Sequence, residues 1–218
     1  MNWIIAVFAV ASLICWSAVV RYDIQMFQQN SYRYSRYWTW LKKGNLLRHN
    51  RWVFLILPFL LWIPYMIWCI SLFMIFYAVW EFRTRYKIRI AYTARVKRLL
   101  AADFILTASL NVLVYVYAGH EWFCLSALLS LLCSKLIVVA ADILLQPLEK
   151  QINLYYVRDA RRILASNKDL FIIGITGSFG KTSTKNILYR VLSEKYNVLM
   201  TPGNFNTTLG VVRTIREH

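Results

Sequence analysis

From Val53 to Trp80 the chain runs 28 residues without a charged side chain, and 3–20, 104–119 and 122–145 are similarly apolar. An α-helix needs roughly 20 apolar residues to cross a bilayer, so runs of this kind confine residues 1–148 to helices packed within or across a membrane. The whole-chain figures agree, with 59% hydrophobic residues and a mean hydropathy of +0.44 over 218 residues. A soluble domain would break such runs with polar positions at helical or strand spacing.

The net charge of +16 does not point to nucleic acid. Its cations sit beside the apolar runs: residues 21–51 hold seven Lys/Arg against Asp23, and residues 81–98 hold seven against Glu81. Anionic headgroups and the cytoplasmic bias of basic loops account for that placement, and no recognition module accompanies it. Membrane lipids are therefore the expected partners of these segments and nucleic acid is not. Aromatics interleave with the cations from Ser31 to Trp40, as suits a segment lying in the headgroup layer. Cys15, Cys69, Cys124 and Cys133 all fall in apolar runs, without CxxC spacing or nearby histidines, and read as small packing residues.

The run 3–20 lacks a basic leader and a small-residue cleavage site, so it reads as an uncleaved anchor. Basic flanks on both sides of 53–80 favour a re-entrant hairpin bent at Pro58 and Pro64 over a single tilted pass. The runs 104–119 and 122–145 form a helical hairpin turning at His120 and Glu121, with Asn111 available to hydrogen-bond across it. Lys135 and Asp142 lie seven residues apart and share a helical face, where structural pairing or snorkelling outweighs a substrate path. Residues 149–168 turn mixed in charge and helical in pattern, a linker helix into 169–218.

Residues 169–174 form an apolar, non-alternating run that predicts a buried parallel strand, and Ile187, Leu188, Val191 and Leu192 predict one apolar stripe of a helix from Lys181. With a second short strand at 197–200 this makes a βαβ unit, its glycine turn at the sheet edge where open α/β sheets bind ligands. Gly177 and Gly180 let the backbone approach phosphate oxygens, the helix start adds a positive dipole end, Lys181 brings a full charge, and the Thr182 hydroxyl can reach Mg²⁺. The strict P-loop spacing would need glycine at 175, where Ile175 stands.

The stretch Thr176, Gly177, Ser178, Phe179, Gly180, Lys181, Thr182 resembles the ATP loop of the Mur ligase family. Gly203-Asn-Phe-Asn206 followed by Leu209-Gly-Val211 is similar to the loop after the second strand in the D-alanyl-D-alanine-adding branch. The resemblance covers about 169–218. It implies an α-helical membrane region followed by the start of an α/β, P-loop, parallel-sheet Mur ligase central domain, truncated at His218 and inactive as it stands.

The implied reaction uses ATP and Mg²⁺ to turn a precursor carboxylate into an acyl phosphate, which an amine such as D-alanyl-D-alanine then converts to an amide. Residues Thr176 to Thr182 would hold the nucleotide, with Lys181 in the catalytic role and Thr182 at the metal. Asn204, Asn206, Thr207 and Thr208 would face the acceptor, a lipid-linked or UDP-linked muramoyl peptide. The uridine-nucleotide domain of the soluble enzymes is replaced here by apolar runs, which favours a lipid-linked acceptor at a bacterial plasma membrane, with the ATP loop cytoplasmic. A poly-γ-glutamate-type ligase, a non-catalytic nucleotide-binding scaffold and an ATP-driven transport component are the other readings.

Overall fold

The computed structural model describes residues 2–46, 51–63, 65–167, 169–203, 205 and 207–217. Among them are nine α-helices and no strand: α1 (Asn2–Gln29), α2 (Tyr34–Trp40), α3 (Val53–Leu60), α4 (Met66–Arg83), α5 (Ala94–Ala118), α6 (His120–Leu132), α7 (Ser134–Ser166), α8 (Lys181–Ser193) and α9 (Thr208–Glu217). The chain divides into two compact units, Met1–Gln146 and Pro147–His218.

In the first unit α1 is the central helix. One face of its N-terminal half, with Phe8, Cys15 and Val19, packs on Phe54, Met74 and Leu128. Its C-terminal half places Val20, Ile24 and Phe27 against Tyr37, Val96 and Val138. The helix outruns the apolar stretch 3–20 because its charged residues find partners: Arg21 donates to the Glu81 carbonyl at 3.0 Å, and Asp23 receives Arg51. Ser31 and Tyr32 take left-handed backbone conformations, and the Tyr32 N–H returns to the Phe27 carbonyl, ending the helix so that α2 can fold back on it.

The run 53–80 is two helices. The ring of Phe54 lies 5.2 Å from that of Tyr77, whereas a straight helix would hold them roughly 35 Å apart. The contact pairs residues symmetrically about Tyr65, which is left-handed (φ 65°), so α3 and α4 form a hairpin. The α3 arm has 8 residues and reaches about 12 Å, less than half the ~30 Å hydrocarbon core. Pro64 lies outside the described residues.

Four boundaries differ from the sequence reading. Helix α5 begins ten residues before 104, because the Thr93 side chain caps it by accepting from the Val96 N–H. The turn between α5 and α6 is made by Gly119 (φ 89°), and His120 and Glu121 already belong to α6. The stretch 122–145 is not one helix: α6 and α7 meet at 79° around Cys133, a bend that brings the Ser134 hydroxyl to the buried Asp23 and Arg51. Helix α7 then runs through Pro147 to Ser166, so 149–168 is not a separate linker helix.

Among the described residues three helices are long and apolar enough to cross a membrane, or four if the bent α6–α7 pair counts as one span. Large apolar side chains point outward from the first unit, among them Trp62, Phe76, Ile105 and Val116. Cys15 and Cys124 are buried as expected of packing residues, while Cys69 and Cys133 face outward. No cluster of three metal-ligating side chains occurs among the described residues.

In the second unit α9 closes on the end of α7, where Arg216 pairs with Asp159 at 2.6 Å and lies over the Tyr156 ring. The predicted strands 169–174 and 197–200 are not formed. A parallel strand exists only when a neighbouring strand takes its N–H and C=O groups, and no described residue pairs with either stretch in that way. Phe171 is 85% exposed, and the stripe of α8 that would cover a sheet carries no buried residue.

Candidate phosphate-binding site

The site is built on the glycine turn that leads into α8. Gly180 is the residue before the helix and is left-handed (φ 73°), a conformation that side chains other than glycine adopt at a cost. Space is not the constraint there, since a Cβ on Gly180 would meet nothing within 4 Å. The first bond of the helix runs from the Thr184 N–H to the Gly180 carbonyl at 2.8 Å. By helix geometry the N–H groups of Lys181, Thr182 and Ser183 point out of the open end, the arrangement that binds anions.

The Lys181 ammonium folds over the turn and donates to the carbonyls of Gly177 and Ser178. Thr176, Gly177, Ser178, Phe179 and Thr182 are all exposed. The loop therefore presents a cation, outward N–H groups and a hydroxyl to solvent on one short segment.

A second loop lies beside it. One turn after Lys181, the Lys185 ammonium donates to the carbonyls of Thr201 and Gly203, each at 2.7 Å. A turn follows, with the Phe205 N–H on the Pro202 carbonyl, and α9 begins. The Thr207 hydroxyl accepts from the Gly210 N–H at 3.2 Å and so caps α9, while Thr208 is its first residue and is exposed. Asn204 and Asn206 lie outside the described residues. Lys185 was not singled out from sequence, although its place four residues after Lys181 puts both ammonium groups on one face of α8.

The two charged residues within the apolar run 122–145 are engaged inside the first unit. Lys135 and Asp142 do not pair with each other: Lys135 donates to the Leu46 carbonyl at 2.7 Å, and Asp142 accepts from Arg95 and from the Tyr34 hydroxyl. Burial, then donation to Asp142, pushes the Tyr34 phenol up to about 12. On the outer side of α2, Arg36, Trp40 and Lys43 line an open cavity of about 420 Å³ with Asn30, Ser35 and Thr39.

One similarity to known proteins spans both loops. Residues 175–218 match the Mur ligase middle domain. Curated relatives that match this segment bear the name UDP-N-acetylmuramoyl-tripeptide–D-alanyl-D-alanine ligase. That of Treponema pallidum is 48% identical over 46 residues, and that of Bacillus subtilis is 48% identical over 44. The Synechocystis protein is 50% identical over 46 residues. These alignments cover 20–21% of this chain, which spans about 10% of the length of each of these relatives. No solved structure is significantly similar to the chain.

Proposed function

We propose that the chain belongs to a membrane-anchored, ATP-dependent amide ligase of the Mur type that acts in peptidoglycan precursor synthesis. The observation that carries this reading is the joining of the two loops at α8: Lys181 reaches the glycine turn, and Lys185 reaches the loop before α9. Both loops lie in the Mur ligase match, in a chain that also holds three helices of membrane-crossing length.

In this reading the N–H groups at the start of α8 and the Lys181 ammonium hold the β- and γ-phosphates, where negative charge develops during transfer. The γ-phosphoryl passes to a substrate carboxylate. The amine nitrogen then attacks the carbonyl carbon, the C–O bond to phosphate breaks, the nitrogen gives up a proton, and an amide is formed. Mg²⁺ fits a site with Thr182 as a protein ligand, because that ion keeps waters and phosphate oxygens as its other partners and needs no protein cage. It would supply charge neutralisation on the phosphates.

The apolar segments support an anchor in a bacterial plasma membrane with the ATP loop on the cytoplasmic side. They also favour a lipid-linked over a UDP-linked muramoyl peptide as acceptor, with D-alanyl-D-alanine or a similar amine as its partner. A transport reading is disfavoured because Lys135 and Asp142 are both engaged within the unit. The test is an assay of the full-length protein for ATP-dependent amide formation on both acceptors. Preference for the soluble nucleotide would sink the lipid-linked assignment, and a reporter fused after Lys150 that appears outside the cell would sink every ATP-dependent reading.

A further inference from the structure

Helix α8 carries two lysines on its first face, and they do different work. Lys181 turns back to the glycine turn that precedes it, and Lys185 reaches forward to the loop that follows the helix. An ammonium group has three donors, and Lys185 gives one each to the Thr201 and Gly203 carbonyls, the residues on either side of Pro202. Pro202 has no N–H of its own with which to anchor that stretch, and Gly203 is left-handed (φ 48°). Among the described residues, the two lysine bonds are the hydrogen bonds that cross from α8 to 201–203.

We propose that Lys185 is a positioning residue: it clamps 201–203 to the start of α8, so that Thr207 and Thr208 at the start of α9 keep a fixed place beside the phosphate loop. Its functional consequence rests on the ligase reading above, while the clamp itself does not. The partners are neutral carbonyls, so Lys185 keeps its positive charge at the end of α8 where phosphates would bind. A glutamate or aspartate partner would hold the loop as firmly but would cancel that charge. A charge-assisted bond is also stronger than one between neutral groups, and two of them on one side chain fix direction as well as distance.

The test uses the full-length protein with Lys185→Met and Lys185→Arg, read by hydrogen exchange and by steady-state kinetics. For Lys185→Met, exchange over 201–211 rises while 176–183 keeps its wild-type rate. The KM for the acceptor rises about tenfold or more, the loss expected for one charge-assisted hydrogen bond, with the KM for ATP within about twofold. Lys185→Arg, which keeps the charge and the donors, restores most of both. Unchanged exchange over 201–211 in Lys185→Met overturns the clamp. A loss of ATP affinity equal to the loss of acceptor affinity also overturns it, because Lys185 would then belong to the phosphate cradle. If wild type forms no amide with either acceptor, the ligase reading fails and the exchange measurement alone decides the clamp.

Discussion

Arg51 sets two guanidinium nitrogens on the two carboxylate oxygens of Asp23, at 2.8 and 2.7 Å, and neither side chain is reached by solvent. Ser134, at the bend between α6 and α7, bonds to both. Burial works against the guanidinium charge, but the Asp23 carboxylate outweighs it, and Arg51 holds its proton more tightly than a free arginine. The pair joins the C-terminal half of α1, the segment before α3 and the start of α7. Removing one partner leaves a buried charge uncompensated, so Asp23→Ala or Arg51→Ala is expected to cost about 3–5 kcal/mol. The double substitution Asp23→Leu with Arg51→Met should recover most of that, and denaturant unfolding in detergent micelles measures the difference.

The Tyr34 hydroxyl donates to Asp142 at 2.7 Å and accepts from Gln146 at 2.6 Å. Its phenol stands at about 12, above the ordinary value near 10. A group whose folded pKa is raised contributes stability that is complete below its unfolded pKa and is lost as pH rises through the folded value. The stability gap between wild type and Tyr34→Phe should therefore hold up to about pH 10 and close towards about pH 12. Thermal unfolding in detergent across that range reads it. A gap that instead closed on acidification would show that the phenol is not the group responsible.

Lys181→Ala removes the side-chain cation that lies over the glycine turn and leaves the helix start intact. Loss of one charge-assisted contact to phosphate, about 1.5–3 kcal/mol, corresponds to nucleotide affinity weaker by roughly 10- to 150-fold. Calorimetry with ATP on the full-length protein measures it. Gly180→Ala should weaken binding by another route, because alanine at φ 73° strains the turn without meeting any neighbouring atom.

Asn111 bridges α5 and α6, donating to the Ser130 hydroxyl at 3.1 Å and accepting from Ser126 at 2.6 Å. Interhelical side-chain hydrogen bonds in membrane proteins average about 0.6 kcal/mol and reach about 1.7. Asn111→Leu should thus destabilise the hairpin modestly, much less than breaking the Asp23–Arg51 pair, and unfolding in the same micelles compares the two.

The helical content of the first unit was legible because long apolar runs admit little else, and Asn111 was legible because a lone amide in such a run needs a partner. What escaped the reading depends on distant contacts. Arg51 lies among residues that read as a surface loop, and only the fold brings it to Asp23. The bend at Cys133 leaves no proline or glycine signature; the polar partners that Ser134 finds accompany it. In the second unit the glycine turn was visible from Gly180, Lys181 and Thr182. Lys185 was passed over because a lysine on an amphipathic helix ordinarily faces water, and nothing local marks the carbonyls of Thr201 and Gly203 as its targets. The strands were misread for the converse reason: residues 169–174 have strand composition, but pairing is a property of two segments.

That unpaired stretch bears on how the protein behaves in solution. Phe171, Ile172 and Ile173 are 48–85% exposed, and their backbone groups pair with no strand among the described residues, a template on which another extended chain can add. Detergent or lipid shields the apolar helices of the first unit, yet it does not supply the hydrogen bonds that this short edge lacks. Self-association of a purified preparation would therefore be seeded at three residues outside the membrane-length helices, and a charged substitution at Ile172 would do more for its colloidal stability than a change of detergent.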